Sequence, residues 1–145
     1  MQQALLLAKQ SSDNGDVPVG AIIASESGEI LGRGRNLREE RNDPTAHAEI
    51  VALREAGEKV GNWRLGDLTM VVTFEPCVMC AGAILQSRIK RLVFGAWNEK
   101  AGAVGSVWDV IRDNRSLHEV EVITRCFEIE CVTLLNNFFK NQRNK

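Results

Sequence analysis

Two short segments hold the side chains best suited to chemistry: His47-Ala48-Glu49 and, after 26 intervening residues, Pro76-Cys77-Val78-Met79-Cys80. Each alone is ambiguous. A histidine at a helix start is more often a satisfied structural residue than a ligand, and a bare C-x-x-C pair divides among metal, redox and chance. Together they are specific, because both fall at expected helix N-termini, where side chains can converge. Cys77 and Cys80 are three apart, so on one helical turn their sulfurs share a face and can pinch one ion. The helix N-terminus adds positive potential that favours thiolate over thiol. His47 brings a third, neutral ligand. Three protein ligands without a fourth is the count of a catalytic zinc that keeps a position open for water. Two thiolates make that ion a weaker acid toward water than three histidines would, so a general base must assist. Glu49 is the candidate. On a regular helix it points about 200° from His47, against ligation on the same face, yet in the first turn it can lean over the open side and shuttle protons. The plainer alternative is that it complements the helix dipole. A redox role for the two cysteines gives His47 and Glu49 no task. Cys126 and Cys131, five apart, are read as core or spectator thiols.

The elements that must position these groups follow from pattern. Helix formers from Met1 to about Asp13 end at Asn14-Gly15. Val19 to Ala24 and Ile30 to Asn36 read as a hairpin around Ser27-Gly28, and Leu37 to Asn42 as charged loop. Asp43-Pro44 is expected to open a helix running to about Lys59. Thr69 to Phe74 is a β-branched strand, Pro76 starts a helix over Cys77 to Gln86, and Arg91 to Ala96 is the next strand. Two β–α pairs in succession predict parallel pairing there. A glycine-containing loop then leads to a short helix near Val107 to Ile111, a strand at about Val120 to Thr124 and a helix from Phe127 to about Asn141. The order predicts an α/β fold, a three-layer α/β/α sandwich around a mixed five-stranded sheet.

A chain of 145 residues without repeats or low-complexity linkers is expected to form one domain over residues 1–145. At 44% hydrophobic and 26% charged residues it matches the globular average, which excludes wholesale disorder, collagen-like repeats and coiled coil. The net charge of −1 supplies no global pull onto nucleic acid or membrane, so any nucleic-acid contact must be local. The Gln86 to Lys100 stretch offers one: Arg88, Lys90, Arg91 and Lys100 against Glu99. The N-terminal apolar run Ala4 to Ala8 is too short for a signal-peptide core, and no stretch reaches the roughly 20 residues needed to span a bilayer. A cytoplasmic protein without membrane contact is therefore expected, and C-x-x-C chemistry rather than a disulfide scaffold.

The combination H-x-E followed by P-C-x-x-C resembles the zinc-dependent cytidine/deoxycytidylate deaminase superfamily. Val17-Pro18-Val19-Gly20-Ala21, Asp43-Pro44-Thr45-Ala46-His47-Ala48-Glu49-Ile50, Glu75 to Ile84 and Gly102-Ala103-Val104-Gly105-Ser106 are similar to the bacterial tRNA adenosine deaminases, and the likeness runs to Phe138-Phe139-Lys140. The resemblance implies a cytidine-deaminase-like fold, Zn²⁺ as cofactor, a homodimer, and hydrolytic conversion of adenosine to inosine at the wobble position of a tRNA anticodon. It gives Glu49 the task of taking a proton from the activated water and delivering protons to N1 and the leaving ammonia. An anticodon stem-loop suits the reaction because its bases are already unpaired. Carried over by position, Asn36 faces the target nucleoside, or serves equally well as a turn residue; Ala48 and Asn98 border the substrate. Lys100 meets the RNA backbone, or is simply solvated. Phe138 and Phe139 border an RNA-facing end or enter the core.

The loop Trp97-Asn98-Glu99-Lys100 departs from the family's usual Arg-Asp-x-Lys. Asn98 exchanges an acceptor-only carboxylate for an amide that can also donate, which predicts altered discrimination between RNA and DNA. Trp97 replaces a cation with a stacking surface. Two other readings remain: a free-base or nucleotide deaminase for guanine, cytosine or deoxycytidylate, and a non-catalytic zinc-stabilised scaffold subunit. Glu49 argues against the second.

Overall fold

β-branched and aromatic residues crowd Thr69–Phe74 (β3) and Arg91–Ala96 (β4), and these strands pair in parallel at the centre of the sheet. The computed structural model describes residues Met1 to Lys145. Before these strands come α1 (Gln2–Asp13), β1 (Gly20–Ala24), β2 (Ile30–Arg35), α2 (Arg38–Arg41) and α3 (Ala48–Val60). Helix α4 (Val78–Gln86) lies between β3 and β4; β5 (Glu121–Ile123) and α5 (Glu128–Arg143) follow β4. The five strands run β2-β1-β3-β4-β5, with β1 antiparallel to both neighbours and β3, β4 and β5 mutually parallel. This is the mixed sheet expected.

Two glycines set how closely the helices approach. A Cβ on Gly20 would meet Ala8 N of α1 at 2.6 Å, and one on Gly34 would meet Ala52 N of α3 at 2.6 Å. Gly20 pairs with Arg35 and Ala21 with Gly34, so these two glycines point to opposite faces of the sheet. Helices α1 and α3 therefore cover opposite faces. Helix α5 packs on β3, β4 and α1, while α4 adjoins α3, which completes three layers. The main core lies between the sheet and the α3–α4 layer, with Ile23, Met70, Val72, Ile84, Leu92 and Phe94 fully buried.

Four expectations are corrected. Residues 38–41 form one helical turn rather than loop, because the buried Asp16 carboxylate accepts the N–H groups of Glu39 and Glu40 at 2.9 and 3.2 Å. Pro44 does not open α3. The Asp43 carboxylate is taken by the Thr45 N–H and hydroxyl, both at 2.8 Å, in a turn over Pro44 and Thr45, and the helix begins only after His47. Residues 107–111 are turns and a bridge between Val104 and Asp109, held by the Trp108 N–H on Gly102 O and the Val110 N–H on Ala103 O. The basic stretch is also dispersed. Lys90 pairs with Glu26 and Arg91 with Glu121, at the opposite end of β4 from Ala96, about 17 Å away at strand rise.

Because β3 and β4 are parallel and β1 runs against them, one end of the sheet gathers the segments after β2, β3 and β4 and before β1. Ligand sites of open α/β sheets favour such carboxyl ends.

Candidate active site

His47 and Cys77 both occupy N-cap positions, of α3 and α4, with extended backbones (φ −70°, ψ 152° and φ −75°, ψ 177°). Neither side chain caps its helix. Ser, Thr, Asp or Asn would be the stabilising choice at such a position, worth about 1 kcal/mol. Here the side chains instead leave the helix and meet. His47 Nδ1 lies 3.6 Å from Cys77 Sγ and 3.4 Å from Cys80 Sγ, and the three ligand atoms lie within 4.8 Å of one another. With Zn–S near 2.3 Å and Zn–N near 2.0–2.1 Å, tetrahedral ligation places N and S about 3.5 Å apart. The donor set and its spacing fit a zinc ion.

The N-cap position of His47 also resolves the angular problem of Glu49. The 200° separation applies only if both residues are helical, and His47 is not. Glu49, in the first turn of α3, lines the same cavity as His47 and Cys77. It is 4% exposed, and burial pushes its carboxyl up to about 7, against the lowering by its own backbone N–H and by His47. Cys80's hydrogen bond holds the Cys77 thiol down to about 4 despite burial, with His47 assisting. The bond to Cys77 and burial push the Cys80 thiol up, and the bond to Cys77 raises His47.

The cavity holds about 190 Å³, below the roughly 300–1,000 Å³ of drug-sized sites, so it suits one planar base with its sugar left outside. Val17, Val19 and Phe74 give it apolar walls, and Asn36, Ala48, Glu49 and Asn98 line it with Arg38. Asn36 lines the cavity and also serves as the turn residue. Its Oδ1 accepts the Arg38 N–H and its Nδ2 donates to Val17 O, each at 3.2 Å, which fixes the turn. One amide hydrogen and one lone pair remain for a ligand. Asn98 Oδ1 accepts the Ala101 N–H at 3.1 Å, which leaves Nδ2 as the available donor.

Lys100 is exposed and does not line the cavity. Phe138 is buried and Phe139 is 43% exposed, so one enters the core and the other faces solvent. Cys131 is buried on the sheet-facing side of α5, where a Cβ on Gly95 could not fit against its sulfur, and Cys126 is half-buried; neither joins the metal cluster. Sequence reasoning gave no lining role to Val17, Val19, Arg38, Phe74, Glu75 or Ala101. The acid directly before Pro76 at a strand end was the available signal for Glu75.

Residues 1–143 match the family model of the MafB19-like deaminases. A tRNA-specific adenosine deaminase of Haemophilus influenzae is 46% identical over 145 residues, covering the whole chain and 84% of the relative. A solved structure from work on A-to-I editing by tRNA:A34 deaminases at the wobble position superposes with a TM-score of 0.89 at 38% identity, covering 93% of this chain and 97% of that one. A Bacillus subtilis guanine deaminase structure reaches 0.65 at 29% identity, covering 99% and 91%. The His-Cys-Cys cluster, the buried acid beside it and these likenesses agree: the chain belongs to the MafB19-like deaminases and, among them, to the tRNA-specific adenosine deaminases.

Proposed function

We propose that this chain, acting as one domain, hydrolyses adenosine to inosine at the wobble position of a tRNA anticodon, with His47, Cys77 and Cys80 as zinc ligands. The observation that carries the reading is a buried glutamate lining a base-sized cavity together with two members of a three-ligand cluster. Zinc bound there supplies the Lewis acidity that brings a water toward ionisation at neutral pH. Glu49 accepts the proton of the attacking water and returns protons to adenine N1 and to the departing amine. The water oxygen becomes O6, the C6–N bond breaks, and ammonia leaves. Val17, Val19 and Phe74 flank the base and exclude water, while Asn36 and the Asn98 amide address its polar edges. Ala48 keeps the wall thin beside the reacting carbon.

The anticodon loop suits this cavity because an unpaired base enters without the cost of breaking a pair. Arg38 at the rim and Lys100 on the following loop supply the cations for flanking phosphates, a task the net charge cannot perform. No helix is long and apolar enough to cross a membrane, and a cytoplasmic site of action fits a tRNA substrate. A homodimer is supported by Val78 and Met79, which α4 exposes at 46% and 37% in its first turn. Light scattering of the purified protein reads that assembly directly.

Ammonia release from an anticodon stem-loop, assayed beside free guanine, cytosine and adenosine, tests the reading. Turnover of the stem-loop adenosine is expected; turnover of free guanine or cytosine alone would assign the protein to base salvage.

A further inference from the structure

Glu75 is 1% exposed, lies between β3 and the Cys77 turn, and touches no metal-ligand side chain by hydrogen bond. Its carboxylate is instead spent on a loop some twenty to thirty residues later. Oε1 accepts the Asn98 N–H at 3.0 Å and the Ser106 hydroxyl; Oε2 accepts the N–H groups of Val104 at 2.9 Å and Ser106 at 3.2 Å. The same loop closes on itself around Asn98, whose carbonyl receives the Gly102 N–H and lies 2.8 Å from the Ser106 hydroxyl. Backbone bonds seal it to the metal turn, from Ala103 N–H to Pro76 O at 2.8 Å and in a bridge between Cys77 and Gly102. At Gly102 any side chain would collide with the Glu75 carboxylate, so the loop is cut to fit this acid.

We propose that Glu75 is a positioning residue for substrate recognition, a buried anion that locks the Asn98–Ser106 loop in register with the metal-bearing turn. The inference rests on the reading of the cavity as an adenosine site, since its consequence is the placement of Asn98 and Ala101 on the cavity wall. A buried carboxylate is costly to desolvate, and four converging donors, three of them backbone N–H groups, compensate that cost only while the loop stays closed. The loop is therefore held by charge-assisted bonds in addition to the apolar burial of Ala103 and Val104 in the main core. It fixes the Asn98 backbone, and with it the direction of the free Nδ2 donor.

Glu75→Gln cannot reproduce the set in either orientation of its amide. With Nε2 in place of Oε2, it confronts the N–H groups of Val104 and Ser106. With Nε2 in place of Oε1, it can donate to the Ser106 hydroxyl oxygen but confronts the Asn98 N–H. At least one loop N–H loses its acceptor, and bonds to charged groups at 1.5–3 kcal/mol correspond to roughly 10–150-fold in the population of the closed loop. Zinc-loaded Glu75→Gln should bind one zinc, exchange its loop amides at least about tenfold faster than the native protein while α4 amides are unchanged, and raise KM for an RNA hairpin roughly tenfold or more with kcat within about threefold.

Ser106→Ala should move KM in the same direction by less, and it carries the test should Glu75→Gln fail to fold. A simple loss of stability would lower the melting point without this split of KM from kcat, measured where both proteins are fully folded. Native KM in a folded, zinc-loaded variant overturns the proposal. A native enzyme that deaminates no hairpin overturns the substrate reading instead, and amide exchange at Asn98, Val104 and Ser106 then still decides whether Glu75 locks the loop.

Discussion

Gly34→Ala places a methyl group between β2, which ends just before the lining residue Asn36, and α3, whose first turn carries Ala48 and Glu49 of the cavity lining. The new Cβ would lie 2.6 Å from Ala52 N and closer still to Ala48 O, whereas ordinary contact begins at 3.4 Å. Relief of the tighter contact requires β2 and α3 to separate by more than about 1 Å, at an overpacking cost of about 1–3 kcal/mol. If α3 yields, His47 and Glu49 move with its first turn, and a displacement of that size is at least about five times the ±0.2 Å within which metal–ligand distances are normally held. If β2 yields, Asn36 and Arg38 retreat from the base. Either path damages the site, and a misplacement near 1 Å costs about 10²-fold in rate. Steady-state kinetics on an anticodon stem-loop, with zinc content and melting temperature measured in parallel, should show kcat/KM reduced by about 10²-fold in a protein that still folds. Gly57→Ala on the same helix is the control, because its Cβ would meet only Asn62 O at 3.8 Å and should stabilise α3 by up to about 1 kcal/mol. Native kcat/KM in folded Gly34→Ala would refute the claim that the β2–α3 contact sets the site.

Glu49→Gln should lower kcat by about 10²–10⁴-fold with zinc content intact, as measured by elemental analysis beside kinetics. Chelation of the metal should abolish activity and lower the melting temperature by roughly 10 °C, from a linkage of about 4 kcal/mol when zinc stands at a thousand times its Kd. Calorimetry before and after zinc is restored checks this, and an unchanged transition would place the metal outside the folding equilibrium. Asn98→Asp replaces the free Nδ2 donor by an acceptor. It should change the ratio of RNA to DNA hairpin deamination by up to about tenfold, within the 1–3 kcal/mol of an unpaired polar group; an unchanged ratio would remove Asn98 from selectivity. Asp16→Asn should loosen α2 and cost about 1–3 kcal/mol, because one of its N–H acceptors becomes a donor. Denaturant unfolding reads that loss, and KM for the hairpin reads any movement of Arg38.

The His47, Cys77 and Cys80 cluster was legible because its evidence is local: residue type, a spacing of three, and a helix start. The strands were legible for the same reason, since Thr69–Phe74 and Arg91–Ala96 announce themselves by β-branched and apolar content. What escaped depends on partners distant in sequence or on competition between nearby polar groups. Asp43 looked like the cap of a helix at Pro44, but its carboxylate is consumed by Thr45 in a turn, which delays the helix to Ala48 and frees His47 from it. Residues 38–41 became helical through Asp16, far upstream. Glu26 and Glu121 cancelled a basic stretch that counting within a window could not see. Glu75 is the clearest case, an acid given no task of its own whose donors all lie on a loop 23 to 31 residues later.

The most direct test is inosine mapping. Total unmodified tRNA is incubated with the zinc-loaded protein and sequenced for adenosine read as guanosine. Conversion confined to the wobble adenosine, and absent with Glu49→Gln, is the expected result. No conversion by a folded protein carrying one zinc would contradict the account.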